Sequence, residues 1–319
     1  MPAQYSKAGY WFIAPAIILM MMILIVPVLI AAVLSFTDFS LSNQSFTWVG
    51  LENYAKMVSR STYIRMLWAS VTYVVIVVPA TIGLGLGAAL LINSVKNFGD
   101  VYKTIYFLPV MAALLAMAIV WEFTLHPTIG IVNKILASGC GGWMESVFSW
   151  GWLPWVDGAS SWYTTGCQEG FPLWFGDKKY TMWTISFIGI WQGFGFNMVL
   201  YLAGLTSVPR ELYHAAEMDG AISGWEQFRL VTWPMLGPTT VFVVTISTIR
   251  SFQVFDTVDA ITQGGPAKST YVMMYAIFEK GVKQNLIGMG SAITVTFMVF
   301  VLILTFVQHY LVERKVHYA

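Results

Sequence analysis

Six apolar runs divide this chain, and each is long enough to cross a bilayer: Trp11 to Phe36, Met66 to Ile92, Ile105 to Phe123, Thr181 to Leu205, Thr239 to Ile261 and Ile287 to Leu311. A helix crossing a ~30 Å hydrocarbon core needs roughly 20 apolar residues, more than an ordinary buried helix supplies. Pro15, Pro27, Pro79 and Pro109 fall inside these runs. Membrane helices tolerate such prolines because neighbours re-satisfy the freed backbone groups. Composition agrees: 57% hydrophobic and 10% charged residues leave too little polar surface to cover a soluble globule of 319 residues. The chain is therefore expected to be an all-α polytopic membrane protein with six transmembrane helices.

Other classes are excluded by what the chain lacks. A formal charge of +1 with no concentrated basic patch argues against nucleic acid. Two cysteines and histidines scattered at His126, His214, His309 and His317 have no metal-ligand spacing, so no metal site is expected. The first run is too long for a signal-peptide core and has only Lys7 before it, so it reads as a retained anchor behind a short terminus, residues 1–10. Small residues at Gly83, Gly85 and Gly87, at Gly189 and Gly193, and from Gly288 to Ala292 mark places where helices can approach closely.

An even number of spans puts both termini on one side. Basic residues occur in comparable number on both sets of loops, so the positive-inside rule does not choose the side. Cys140 and Cys167 do bear on it. Both lie in the 124–180 connection, which is too polar and too rich in Gly, Trp and Pro to be a span. A disulfide there favours an oxidising compartment for that loop, with the termini, 1–10 and 312–319, in the cytoplasm. Two unrelated free cysteines are the alternative.

Between the fourth and fifth runs lies a polar island, residues 206–238. Ser207 and Pro209 suit the first turn of a helix, and Asp219-Gly220 stops it. Ser223 and Glu226 have capping-box spacing, opening a second helix that Pro234 and Pro238 close. The expected product is a short helical hairpin whose first helix, with small Ala215 and Ala216, fits a groove on a partner protein. The same pattern also describes a solvated connector, and these residues alone do not choose.

The island resembles the EAA loop of the integral-membrane permease subunits of binding-protein-dependent ABC importers, in the maltose-type family that handles sugars and glycerol phosphate. Ala215-Ala216, Asp219-Gly220-Ala221, Phe228 and Pro234 sit as that motif asks. Trp191-Gln192, Leu202-Ala203-Gly204-Leu205, Phe255-Asp256 and Thr262-Gln-Gly-Gly-Pro266 extend the likeness, which covers about Tyr5 to Val312. Two departures stand out: His214 occupies the position of the motif's glutamate, and the spacing from Gly220 to Val231 is one residue longer than usual.

The resemblance implies a type I ABC importer permease fold: a six-helix domain over 11–311, with spans at 11–36, 66–92, 105–123, 181–205, 239–261 and 287–311. It further implies a cytoplasmic coupling loop at 206–238 and an extracytoplasmic insertion at 124–180 between the third and fourth helices. Such a chain is a transport subunit and not an enzyme. It forms half of a pathway for a carbohydrate or related polar solute by alternating access, in a bacterial or archaeal cytoplasmic (inner) membrane. Its implied partners are a second related permease, two cytoplasmic ATPase subunits, an extracytoplasmic solute-binding protein and membrane lipid. No cofactor is expected in this chain, ATP and magnesium being bound by the ATPases. The nearest string to a P-loop, Gly264 to Ser269, lacks the glycine directly before lysine. Glu211, His214, Ala215, Ala216, Glu217, Asp219 and Gly220 are the implied ATPase-coupling residues.

A polar solute needs polar groups facing the bundle interior. Thr245, Thr248, Phe252, Asp256 and Asp259 recur at helical spacing and predict one stripe on the fifth span, with Gln192 and Asn197 adding amides from the fourth. Ionisable groups at membrane depth are costly and mark pathways or buried pairs. Phe252 beside carboxylates suits a sugar, whose C–H face stacks on a ring. The structural alternative pairs Asp256 with Arg250. The rival function is a self-contained secondary transporter or channel using Arg250, Asp256 and Asp259 as coupling or gating charges, but these spans show no internal repeat. A membrane enzyme is less well supported still, since no nucleophile and base pair up.

Overall fold

A computed structural model describes residues 3–42, 46–95, 98–140, 142, 165–168 and 170–313. The middle of the 124–180 connection and the ends of both terminal segments lie outside these residues. The described chain is helical apart from turns and one antiparallel bridge between Thr37 and Trp48. Among the described residues, four helices are long and apolar enough to cross a membrane: Tyr10–Leu34, Ser61–Ser94, Lys178–Thr206 and Ile287–Gln308.

The third and fifth apolar runs are interrupted. Gly99–Met111 and Leu114–Thr124 meet at 94°, with Ala112 and Ala113 both extended. Pro109, which has no N–H and crowds the preceding turn, lies three residues before the break. Gly224–Met235 and Gly237–Phe252 meet at 68°, where Pro238 opens the second helix. That helix ends at Phe252, and residues 253–255 are irregular before a helical turn resumes at Asp256. Counting each bent pair as one span gives up to six.

The described chain forms two compact units. One comprises Met1–Ile64 with Ala276–Ile303. Here the N-terminal helix ends at Leu34, and a tight turn follows in which Asn53 Nδ2 donates to the carbonyls of Ser35 and Thr37 at 2.9 and 2.8 Å. Tyr54 donates to Ser35 Oγ at 2.7 Å, and Trp48 stacks on Phe36. Thr47 N–H donates to Asp38 Oδ1, which holds that exposed carboxylate below its usual pKa. The Gly288 amide donates to the Phe39 carbonyl, and a side chain at Gly288 would collide with the Thr37 carbonyl.

The other unit comprises Arg65–Tyr275 with Leu304–Ala319. Its centre is the Lys178–Thr206 helix, packed against Ser61–Ser94, Gly99–Met111 and Gly237–Phe252. A core of Ala89, Ile92, Met198, Tyr201, Leu205, Leu236 and Val243 closes one end. Backbone approach is closest at Gly195, where any Cβ would run into the Tyr106 carbonyl oxygen. Polar ties supplement the apolar contacts: Gln308 Nε2 donates to Thr248 Oγ1 at 2.9 Å, and the Met273 amide donates to buried Ser70 Oγ at 2.9 Å. Beside this core the same helices line a cavity.

Candidate functional site

The cavity has a volume of about 370 Å³ and lies wholly within the second unit. Tyr73, Val77 and Thr81 form one wall, Val110 and Leu114 a second, and Gln192, Phe196 and Asn197 a third. The fourth wall runs from Ser247 through Arg250 and Ser251, continues along the irregular segment Gln253, Val254 and Phe255, and ends at Asp256 and Thr257. Irregular backbone at membrane depth is tolerated where it is buried in protein or lines a wet cavity. The wall therefore mixes ring faces, amides, hydroxyls and two charges.

Arg250 and Asp256 stand on either side of the helix break. The Arg250 guanidinium carbon lies 4.0 Å above the Phe196 ring centroid, a cation–π arrangement. Arg250 also occupies the last turn of its helix, where the dipole favours a cation. Neither Arg250 nor Asp256 forms an ion pair or a side-chain hydrogen bond with the described residues. Within the wall Ser247 donates to Asn197 Oδ1 at 2.9 Å, joining two helices.

The sequence-predicted pathway residues separate into two groups. Gln192, Asn197 and Asp256 line the cavity. Phe252 is only 2% exposed and is not in the cavity wall. Thr248 is buried, donating to the Val244 carbonyl and accepting from Gln308, and Thr245 donates to the Val241 carbonyl. Neither threonine, nor Asp259, is a lining residue. The expected stripe assumed one continuous helix, and the break after Phe252 rotates Asp256 out of register with the residues before it. Tyr73, Thr81, Ser247 and Ser251 were not anticipated. Their signal, a hydroxyl every few residues in an apolar run, is common to many packed membrane helices. Arg250, a lone cation in a long apolar run, was visible as a charge but not as part of the wall.

The polar island forms a hairpin. Its first helix, Arg210–Met218, follows Pro209 and ends before Gly220, whose φ is +93°. Ser223 Oγ accepts from the Glu226 amide at 3.2 Å while Glu226 Oε2 accepts from the Ser223 amide at 3.0 Å, a complete capping box. The backbone N–H of Ser223 holds the exposed Glu226 carboxyl below its ordinary pKa. Gln227 Nε2 donates to Glu217 Oε1 at 3.1 Å, and Tyr213 shares a hydrogen bond with Thr232, tying the arms together. Glu211, His214, Ala215, Glu217, Asp219 and Gly220 are exposed and Ala216 is half-buried. His214 Nδ1 lies 3.7 Å from Glu217 Oε2. Apolar Met218, Ile222 and Trp225 are exposed at the same end.

In the 124–180 connection, Cys140 and Cys167 are joined by a disulfide, with Cα atoms 5.7 Å apart. Nearby, Trp174 Nε1 donates to Asn133 Oδ1 at 2.7 Å, and Asn133 Nδ2 donates to the Pro127 carbonyl at 3.1 Å. Among the described residues, no cluster of three or more His, Cys, Asp or Glu could hold a metal ion.

Helices long and apolar enough to cross a membrane, around a cavity with polar side chains in its wall, fit a membrane protein of the transport class. The chain belongs to the family of binding-protein-dependent transport system inner membrane components, whose pattern it matches over residues 55–317. It is thus a multi-pass permease component of such a system. It is 28% identical over 310 residues to the sn-glycerol-3-phosphate transport system permease protein UgpA of Agrobacterium fabrum, spanning 97% of this chain and 96% of that one. It is 25% identical over 317 residues to the probable starch degradation products transport system permease protein AmyD of Thermoanaerobacterium thermosulfurigenes, spanning 98% and 97%. The fold resembles a chain of a bacterial ABC transporter involved in import of the acidic polysaccharide alginate. That match has a TM-score of 0.77 at 19% identity and covers 98% of this chain and 96% of the other.

Proposed function

We propose that this chain forms half of the translocation pathway of an ATP-driven importer for a carbohydrate or related polar solute. The observation that carries the reading is the cavity, which places Gln192, Asn197 and Asp256 on one space between apolar helices. Amides and a carboxylate exchange hydrogen bonds with hydroxyl groups, and Tyr73 and Phe255 offer ring faces to C–H surfaces. The relatives' names, glycerol phosphate and starch degradation products, support a polyhydroxylated solute.

A chain with half a pathway needs a second, related permease to close the cavity. Solute arrives on an extracytoplasmic binding protein, and energy comes from two cytoplasmic ATPases that bind ATP and magnesium. The hairpin is the coupling element. Arg210–Met218 docks in a groove of an ATPase subunit through its exposed face around Ala215, Glu211 and His214, with Glu217 supplying a carboxylate beside His214. Closure of the ATPase dimer moves this helix and switches the cavity between its two openings. In this reading both termini and the hairpin are cytoplasmic, and the disulfide-bearing connection is extracytoplasmic, where disulfides persist.

The test is purification followed by reconstitution. Affinity-tagged chain should bring down a second permease and an ATPase, and proteoliposomes holding the complex should take up solute only with MgATP. Uptake by this chain alone, driven by an ion gradient, would show instead a self-contained transporter with Arg250, Asp256 and Asp259 as coupling charges.

A further inference from the structure

We infer that Arg250 is a specificity-determining residue that receives an anionic group, a carboxylate or phosphate, on the transported solute. The inference rests on the importer reading and names the substrate class of its cavity. Among the described residues, Arg250 and Asp256 are its only Asp, Glu, Lys or Arg lining residues. A permanently charged guanidinium at membrane depth is costly unless it is paired or hydrated. Arg250 is exposed in this chain, and its guanidinium carbon lies 4.0 Å over the Phe196 ring centroid, a contact that helps to hold it against the wall. Its N–H groups donate to no side chain or carbonyl among the described residues. No carboxylate among the described residues accepts from them, although Asp256 lines the same cavity. The helix break at residues 253–255 separates the two, so the cation and the carboxylate act as independent recognition points.

This arrangement fits a solute with an anionic group at one end and hydroxyls at the other. The planar fork of Arg250 matches a carboxylate or phosphate in bidentate geometry. Asp256, Gln192 and Asn197 exchange hydrogen bonds with the hydroxyls. A neutral solute would leave Arg250 facing the cavity uncompensated, whereas an acidic one neutralises it as it enters. The carboxylate of Asp256 repels a solute bound in the reverse orientation.

The experiment uses the full purified complex, without binding protein, and equilibrium binding to two matched pairs: cellobiouronic acid against cellobiose, and glycerol 3-phosphate against glycerol. The acidic member of at least one pair should bind more tightly than its neutral partner by about tenfold to a hundredfold, the range expected for a charge-assisted contact. Which pair responds distinguishes carboxylate from phosphate. Arg250→Gln should abolish the preference and Arg250→Lys should retain part of it. Gel filtration and MgATP hydrolysis establish that each variant complex is assembled. The inference is overturned if both pairs bind without acidic preference, if none of the four probes binds, or if Arg250→Gln keeps the preference. An intact MgATP-driven complex that fails these binding arms leaves the importer reading standing, whereas a chain that recruits no ATPase removes that reading itself.

Discussion

Ser247 donates a hydrogen bond to Asn197 Oδ1 at 2.9 Å, and both side chains belong to the cavity wall. The bond ties Gly237–Phe252 to Lys178–Thr206. It also fixes the Asn197 amide, so its N–H₂ points to a set place. Removing the hydroxyl by Ser247→Ala should lower complex stability by about 1 to 3 kcal/mol, because both side chains are buried and Asn197 Oδ1 is left without its donor. Thermal unfolding in detergent reads this directly. An unchanged midpoint would mean the two helices are held by apolar packing alone.

Gly195 tolerates no side chain where it lies against the Tyr106 carbonyl. Gly195→Ala should force the Lys178–Thr206 and Gly99–Met111 helices apart at a cost of ~1 to 3 kcal/mol, as overpacking commonly does. Yield of assembled complex should fall, while Gly83→Ala, with open space around its Cα, should be neutral. Equal yields from the two variants would contradict the packing.

Cys140 and Cys167 close a loop with a sequence separation of 27 residues. On the chain-entropy account a cross-link of this span contributes roughly 3 to 4 kcal/mol, although measured gains vary. Non-reducing mass analysis should recover one linked peptide. The double change Cys140→Ser with Cys167→Ser should make the connection more protease-sensitive and leave MgATP hydrolysis by the complex intact. Two alkylatable thiols in native protein would refute the pairing in the membrane.

The hairpin makes the sharpest functional prediction. Gly220 has φ of +93°, a conformation that β-branched residues resist, so Gly220→Val should distort the end of Arg210–Met218. Ala215→Trp, on the exposed face of the same helix, should overfill the docking contact. Both variants should reach the membrane yet lose ATPase association or hydrolyse ATP without transport. His214→Glu, which restores the motif's carboxylate, should preserve or strengthen coupling. Wild-type coupled transport in both disruptive variants would make the hairpin a passive connector.

Much of this was legible in the residues. Runs of about 20 apolar residues located the long helices because the bilayer sets that length directly. The hairpin was legible because its stop and cap are local chemistry: Gly220 has positive φ, and Ser223 with Glu226 makes both capping bonds. The breaks within the third and fifth runs were not. Hydropathy averages over a run, and Ala112-Ala113 or Gln253-Val254 carry no glycine or proline at the break itself. The pathway stripe failed for the same reason. Phe252 and Asp256 are one helical turn apart in sequence, but residues 253–255 are not a helical turn.

The irregular segment also bears on how the cavity could change through mutation. Every amino acid carries the same carbonyl, and all but proline the same amide. Along Gln253, Val254 and Phe255, which line the cavity outside a regular helix, the Gln253 and Val254 amides and the Phe255 carbonyl are already paired within the main chain, so only the remaining groups add to the wall's hydrogen-bonding capacity. Single-codon changes there alter the shape and greasiness of the lining but leave that capacity in place. Arg250 and Asp256 are different, since one base change can remove either charge. The site thus combines a small main-chain contribution that mutation hardly touches with two charges through which its solute preference can be readily re-tuned.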